Sequence, residues 1–410
     1  MNTTTSKKSF RDDVAGLFSE GKLNRLKDLG HDFIESGNDE HSITDQEGKR
    51  YLDCVSSRGI FNLGRSNDVM KKALIEAVGL TDQGNFPMIS IEKAALAEKI
   101  AGFVPGDLEC TVFSVVRGES IDFACKLARG ATGRKEFIAL NGSWFGQTGF
   151  ALSLSERDDA ELYGPLIPEV SFIQPGDIAA AEKAITKKTA AVFLEPVQVE
   201  KGCRVLDQEY LKKIREICSR TGALLVIDET ETGLGRCGEK FAFEKSGILP
   251  DILVIGESLG GGIFPIAATV FPQKLNKFMN AHPMIHLSTF GGSDIGCRVA
   301  SAALAEYEKI KPWENTTRQG EPLLLELSVI MKQYQGVIEG LSGEGLLIAL
   351  DLGTEKKALT FCRELATAGL LALPGDIAKH TVILRPGLLI DDTTRADIVR
   401  AVQEACIAMG

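Results

Sequence analysis

The chain has 410 residues, of which 44% are hydrophobic and 25% charged, a composition typical of a soluble globular protein with two or three domains. Its 46 basic and 56 acidic residues give a formal charge of −10, and such a surface repels nucleic acid and anionic lipid. Residues 1–11 lack the apolar core of a secretory signal, and no run of about 18 apolar residues occurs in the sequence. We therefore expect a cytoplasmic protein that neither spans a membrane nor binds nucleic acid.

Cysteine and histidine spacing gives no sign of a metal site. The nine cysteines are scattered singly, without a Cys-x-x-Cys pair, which is typical of reduced cytosolic thiols. His282 and His286 are four residues apart, but Pro283 between them disfavours the helix that would align them. The sequence predicts no bound metal.

Helical and strand-like segments alternate through the middle of the chain. Apolar residues recur at helical spacing over residues 91–101, 120–128 and 210–220. Short apolar runs between turn residues predict strands at residues 137–139, 190–194, 223–227 and 252–255. Strands that are apolar on both faces indicate an α/β fold with a mostly parallel sheet covered by helices.

The last hundred residues change character. Helical patterns at 302–311, 323–334, 359–368 and 394–408 surround strand-like runs at 346–352 and 381–384, which predicts a smaller α+β domain. Short strands at 42–44 and 50–53 are expected to pack against it. The predicted division is therefore residues 1–61 and 312–410 for the small domain and residues 62–311 for the large one.

Three consecutive strands of the large domain end in polar or glycine-rich segments, at residues 195–198, 228–233 and 256–262. In an open parallel sheet, ligands bind beyond the carboxyl ends of the strands. Each carboxylate could instead cap a following helix, but three ends in succession favour a ligand site.

Eight sequence blocks occur in order over residues 35–400: 51–53, 126–129, 194–198, 222–229, 232–236, 250–253, 259–262 and 288–292. In sequence and spacing they resemble the class III pyridoxal-phosphate-dependent aminotransferases, above all the acetylornithine, ornithine and 4-aminobutyrate group. The resemblance implies the fold-type-I architecture of pyridoxal-phosphate enzymes, in which the large domain binds the cofactor.

The resemblance also implies roles for single residues. Asp228 matches the carboxylate that keeps the cofactor's ring nitrogen protonated, and Trp144 the aromatic ring stacked on the cofactor, although core packing is an alternative for Trp144. Thr289 resembles the residue that reaches the cofactor phosphate of a neighbouring subunit, which implies a homodimer with shared active sites. Arg385 lies near the family's carboxylate-binding arginine, or is a surface residue. Glu195 resembles a glutamate that screens the charge of that carboxylate-binding arginine in the family. The alternative role for Glu195 is to cap a helix.

The sequence departs from the family pattern at its most important position. Glu257 stands where the family carries the lysine that forms a Schiff base with the cofactor. A carboxylate cannot form that bond, which needs an amine nucleophile. Because a positioned acid–base group contributes about 10²–10⁴-fold to rate, ordinary transamination should be absent or reduced by orders of magnitude.

Two further departures indicate a remodelled site rather than one introduced mutation. Val116 and Arg117 replace small residues that let backbone amides approach the cofactor phosphate at a helix start, while Gly118 keeps that room. Glu231 replaces a glutamine that the resemblance assigns to the ring hydroxyl, and its charge would repel a phenolate there.

Two hypotheses follow. In the first, Arg117 binds the phosphate of non-covalent pyridoxal or pyridoxamine phosphate, and Glu257 acts as a base on a small amine or amino acid. In the second, Arg117 and Glu257 neutralise each other across a closed cofactor site, and the protein serves binding or assembly. The retained Asp228, Thr289 and Trp144 favour the first.

Overall fold

A computed structural model describes residues 16–85 and 87–410 of the chain. The predicted signal-free start lies outside these residues. The helices are α1 Glu20–Asp28, α2 Asp68–Leu80, α3 Ile91–Phe103, α4 Arg117–Thr132, α5 Gly149–Leu154, α6 Ile178–Ala184, α7 Gln208–Thr221, α8 Gln273–Ala281, α9 Asp294–Ile310, α10 Pro312–Gln333, α11 Glu355–Thr367 and α12 Asp392–Met409. Short 3₁₀ turns lie at Ala160–Tyr163, Val199–Lys201, Ala242–Ser246 and Glu257–Gly260.

The strands form three larger sheets and one two-stranded ribbon in the described part of the chain. They are β1 Glu35–Asn38, β2 Ser42–Asp45, β3 Arg50–Asp53, β4 Cys110–Ser114, β5 Glu136–Leu140, β6 Val170–Ile173, β7 Thr189–Leu194, β8 Val197–Gln198, β9 Arg204–Val205, β10 Leu224–Asp228, β11 Ile252–Ile255, β12 Ala267–Phe271, β13 Gly340–Glu344, β14 Leu347–Asp351, β15 Leu370–Leu371, β16 Leu373–Pro374 and β17 Thr381–Leu384.

The largest sheet has seven strands in the order β4-β12-β11-β10-β7-β5-β6. Strand β12 runs antiparallel to both of its neighbours, and the other pairs are parallel. The predicted α/β class with a mostly parallel sheet is confirmed. The prediction missed β4, β6 and β12.

The central strands are apolar along their whole length because both sheet faces are covered. Val192, Leu225 and Leu253 belong to one buried cluster, while the alternate positions Phe193 and Val226 belong to another. Side chains of a strand point alternately to its two faces, so each cluster covers one face of the sheet.

Strands from both ends of the chain pair in the smaller part of the molecule. One sheet has the order β1-β2-β3-β15, in which Leu52 pairs with Leu370, and another has the order β13-β14-β17-β16. A separate buried cluster that includes Leu350, Phe361 and Val402 lies beside these sheets. No helix in the described part of the chain is both long and apolar enough to cross a bilayer.

The topology determines where polar residues can meet. Strands β7, β10 and β11 are neighbours and run parallel. Their carboxyl ends therefore lie at one edge of the sheet, followed by Glu195, the segment from Asp228 to Glu231, and Glu257.

Candidate functional site

Arg117 is the first residue of α4, and its guanidinium lies at the centre of this edge. The residue is only 5% exposed. Its Nε donates to Asp228 Oδ2 at 2.7 Å, its Nη2 to Glu195 Oε1 at 2.8 Å, and its Nη1 to Glu231 Oε1 at 3.3 Å. Three buried carboxylates thus share one buried cation.

The same guanidinium contacts an aromatic ring. Arg117 Cζ lies 5.0 Å from the centroid of the Trp144 ring, within the range of a cation–π interaction. The backbone N–H of Trp144 donates to Glu195 Oε2 at 2.9 Å, which links the main chain at Trp144 to a carboxylate of the site. The flat cation of Arg117 therefore contacts both Trp144 and Asp228, the two residues that the resemblance assigns to the cofactor's ring.

The carboxylate of Glu257 lies at the start of α4. Its Oε1 accepts a hydrogen bond from the backbone N–H of Arg117 at 2.8 Å. The first N–H groups of a helix, together with its dipole, favour an anion. Glu257 is therefore the anion at this helix N-terminus.

These contacts correct the predicted pairing of Arg117 with Glu257. The backbone amide of Arg117 binds Glu257, whereas the side chain turns to Asp228, Glu195 and Glu231. The physical reason is charge: three buried carboxylates attract the guanidinium more strongly than one half-buried carboxylate. The same contacts leave the guanidinium away from the helix start, where the first hypothesis had placed it on a phosphate.

Arg385 is buried, at 2% exposure, and not on the surface. It donates to Glu231 Oε2 at 2.5 Å and to Glu200 Oε1 at 3.2 Å. The expectation that Glu195 screens Arg385 is wrong, because Glu195 pairs with Arg117. Glu231 lies between Arg117 and Arg385 and forms an ion pair with each of them. Its negative charge is therefore balanced by side chains of the protein itself.

A third arginine extends the network outward. Arg58 donates to Glu200 at 3.1 Å and to Asp376 at 2.5 Å. It lies in a turn where Ser57 and Arg58 have positive φ, a conformation that persists only when the surroundings impose it. Sequence reasoning missed Arg58, Glu200 and Asp376, which lie in turns outside the three predicted strand-end segments.

The connected network holds three guanidiniums and six carboxylates, a formal excess of three negative charges (Arg58, Arg117, Arg385; Glu195, Glu200, Asp228, Glu231, Glu257, Asp376). Burial raises the pKa of Glu195 to about 8, against the opposing charge of Arg117. Burial also raises the pKa of Glu200, against Arg385. For Arg117, burial acts to lower the pKa, but the charges of Asp228, Glu195 and Glu231 outweigh it and raise the value.

These shifts predict that the protein loses stability as the pH rises. The pKa of Glu195 is about 8 in the folded chain against a reference value of 4.5, so the folded state binds more protons between these values. Stability therefore falls as the pH rises through this window. Glu229, whose pKa burial raises to about 7, acts in the same direction. Urea midpoints should be higher at pH 6 than at pH 8.

The variant Glu195→Gln tests the cause of that pH dependence. Glutamine keeps an acceptor for the Trp144 amide but does not titrate. The difference between the two midpoints should shrink in this variant. An unchanged difference would show that Glu195 is not the group that titrates.

The remaining predicted residues lie on either side of this network. A Cβ added to Gly118 would lie 2.7 Å from Thr148 Oγ1, so only glycine fits there without a shift. Gly118, Thr148, Trp144 and Glu257 line a cavity of about 310 Å³ beside Arg117. Thr289 is exposed on the segment between α8 and α9, and its role toward a neighbouring subunit stays a prediction.

Solved structures first define the class of fold. The chain superimposes on the ornithine aminotransferase of Toxoplasma gondii with a TM-score of 0.88 at 24% identity, covering 99% of this chain and 98% of that one. An amine transaminase from an uncultivated Pseudomonas species, determined in its PLP-bound internal aldimine form, gives a TM-score of 0.85 at 25% identity, covering 92% and 95%. The fold is that of the fold-type-I pyridoxal-phosphate enzymes.

Sequence comparison then gives the family. The family described as Aminotransferase class-III matches residues 31–406. An uncharacterized aminotransferase of Archaeoglobus fulgidus is 36% identical over 364 residues, which cover 89% of this chain and 86% of the relative. The putrescine aminotransferase of Pectobacterium atrosepticum is 33% identical over 375 residues, covering 89% and 80%. The chain belongs to the class III aminotransferase family.

The residues of this site do not fit pyridoxal phosphate in the arrangement described above. Asp228 and Trp144 contact Arg117 instead of a cofactor ring, and Glu257 takes the anion position at the helix start. Position 257 also offers no amine for a covalent bond.

Proposed function

We propose that this chain is a class III family member that does not transaminate, because its own arginine closes the cofactor site, and that it serves in binding or assembly. One observation carries the proposal: Arg117 donates to Asp228 at 2.7 Å while its Cζ lies over the ring of Trp144. A flat cation supplied by the protein thus takes both contacts expected for a protonated pyridine ring.

Electrostatics supports a closed site. A cofactor ring could reach Asp228 only if Arg117 withdrew from three buried carboxylates. Removing one partner of a buried ion pair costs about 3–5 kcal/mol, because the remaining charge stays buried without compensation. A phosphate at the helix start would in addition meet the like charge of Glu257.

The second candidate is an enzyme that holds pyridoxal or pyridoxamine phosphate without a covalent bond. Trp144 lines a cavity, and Asp228 is present in the sequence, which favours this candidate. The named activity of the Pectobacterium relative suggests a small amine as substrate. Arg117 would have to swing into that cavity on cofactor binding, and Glu257 would act as the base.

A melting experiment separates the two candidates. A ligand that binds only the folded state must raise the melting temperature. We expect no shift with millimolar pyridoxal phosphate or pyridoxamine phosphate, whereas the Pectobacterium enzyme serves as a positive control. A rise of several degrees with either compound would support the second candidate.

We also propose that the protein forms a homodimer through the face that carries Thr289. Leu287 and Phe290 expose large apolar side chains there, and so do Met88 and Ile89. The two segments meet at Asp294, whose carboxylate accepts a hydrogen bond from Ser90 at 2.6 Å. Exposed apolar patches of this kind mark association surfaces. Light scattering should give twice the chain mass, and Phe290→Glu should give the monomer mass.

A further inference from the structure

We propose that residues Ser56–Gly59 form a strap that opens and closes the cavity beside Arg117, with Arg58 as its latch. Three features of the strap support this role: a backbone conformation that costs free energy, an arginine that holds it down, and its position over Trp144. The strap controls access to the cavity, and it does so whether or not a cofactor can bind there.

The backbone of the strap is left-handed over four residues in succession. The φ angles are 48° at Ser56, 47° at Ser57, 64° at Arg58 and 87° at Gly59. Only glycine adopts such angles without steric cost, because in left-handed backbone a Cβ lies too close to the following carbonyl oxygen. Conformations of this kind persist only where the surroundings impose them, and they are found in ligand clamps and switch segments. The strap should therefore relax when its contacts are released.

The chain is fixed on both sides of the strap by one buried carboxylate. Asp53 Oδ1 accepts hydrogen bonds from the backbone N–H groups of Val55 at 3.0 Å and Ser56 at 2.8 Å. Asp53 Oδ2 accepts a hydrogen bond from Arg65 Nε at 2.6 Å. Because the flanking chain is anchored in this way, the strap can change its conformation without displacing the strand before it.

Arg58 holds the strap closed. Its guanidinium donates to Glu200 Oε1 at 3.1 Å and to Asp376 Oδ2 at 2.5 Å. The side chain of Glu200 is fully buried, whereas that of Asp376 is 44% exposed, where water and salt weaken an ion pair. The hydroxyl of Ser56 is buried without a hydrogen-bond partner in the described part of the chain, so it does not help to hold the strap. The latch therefore has a buried half and a half that solvent can release.

The closed strap covers the indole of Trp144. Ser57, Arg58 and Ile60 line the cavity of about 310 Å³ together with Trp144. The Cζ atoms of Arg58 and Arg117 lie 5.1 Å and 5.0 Å from the centroid of the indole ring. Opening the strap removes Arg58 from the ring and exposes the cavity wall to solvent. Arg117 need not move, because its ion pairs involve no residue of the strap.

Hydrogen exchange of the full-length chain, followed by mass spectrometry, tests the latch. The backbone N–H groups of Arg58 and Ile60 donate to carbonyl groups of the turn at 2.9 Å, so they exchange when the strap opens. Asp376→Asn should make these two amides exchange several-fold faster, because a hydrogen bond between charged groups is lost. Ser57→Gly should make them exchange several-fold more slowly, because glycine removes the steric cost of the closed turn.

A matched variant separates release of the latch from general loosening. Asp158→Asn removes the exposed ion pair with Lys379, which follows Asp376 in the same loop, and should exchange as the parent does. Unchanged exchange in Asp376→Asn, or an equal increase in Asp158→Asn, would overturn the role of the latch. Unchanged or faster exchange in Ser57→Gly would show that the closed turn carries no strain, and would overturn it as well.

Fluorescence quenching tests whether opening uncovers the indole. The chain has two tryptophans, so Trp313→Phe leaves Trp144 as the remaining one. In that background, acrylamide should quench Trp144 more strongly in Asp376→Asn than in Asp158→Asn. Equal quenching in the two variants would overturn the proposal that the strap covers the cavity, and it would leave the cofactor melting test unaffected.

Discussion

Replacing Arg117 with methionine is expected to lower the free energy of unfolding by about 3–5 kcal/mol, the usual cost of removing one partner from a buried ion pair. Methionine fills much of the same volume but leaves Asp228, Glu195 and Glu231 without their shared cation. Urea unfolding at pH 7, followed by far-ultraviolet circular dichroism, measures the change.

Two variants show whether the loss comes from that contact. Arg220→Met removes an arginine from an exposed pair with Glu182 and should cost less than about 1 kcal/mol. Adding Asp228→Asn to Arg117→Met should restore part of the stability, because one uncompensated charge is removed. If Arg117→Met is as stable as the parent, the guanidinium does not bind the three carboxylates.

The second large effect concerns the cofactor. The single variant Glu257→Lys should not form a borohydride-reducible adduct with pyridoxal phosphate at position 257, because Arg117 still contacts Asp228 and Trp144. The triple variant Arg117→Gly, Glu231→Gln, Glu257→Lys places a small residue, a glutamine and a lysine at the three positions, as the resemblance to the family implies. It should take up the cofactor and give a reduced adduct at position 257, detected by peptide mass spectrometry.

The comparison between these variants isolates the role of Arg117. The pair Glu231→Gln, Glu257→Lys keeps Arg117 and serves as the matched control, for which we expect little or no adduct. A full adduct in Glu257→Lys alone would mean that Arg117 leaves the site readily. The closed-site proposal would then be wrong, and the remaining pocket would still be built for the cofactor.

The fold could be predicted where strands are apolar on both faces. The predicted strands at 190–194, 223–227 and 252–255 match Thr189–Leu194, Leu224–Asp228 and Ile252–Ile255 closely, because complete burial makes each an uninterrupted apolar run. Strand Val170–Ile173 was missed because it lies at the sheet edge and is partly exposed. Strand Ala267–Phe271 is apolar, but it lies between two strands of the sheet and runs antiparallel to both. No periodicity in the sequence indicates that position or direction.

Only those site residues whose positions follow from the sheet topology could be predicted from the sequence. Glu195, Asp228 and Glu257 follow adjacent parallel strands, and the rule for strand ends brings them to one edge. The ion-pair partners of the Arg117 side chain could not be predicted. An arginine side chain is long and flexible, so from the first residue of a helix it can contact any of several nearby carboxylates. Glu200 and Asp376 were missed because they join the network through Arg385 and Arg58, far away in sequence.

In the closed-site proposal, the guanidinium of Arg117 takes the place of the cofactor ring against Asp228 and Trp144. The most direct test is a crystal structure of the unmodified protein grown in millimolar pyridoxal phosphate. We expect electron density for the guanidinium against Asp228 and Trp144, and no pyridine ring in that position. Density for a pyridine ring hydrogen-bonded to Asp228, with Arg117 turned away, would contradict the closed-site proposal.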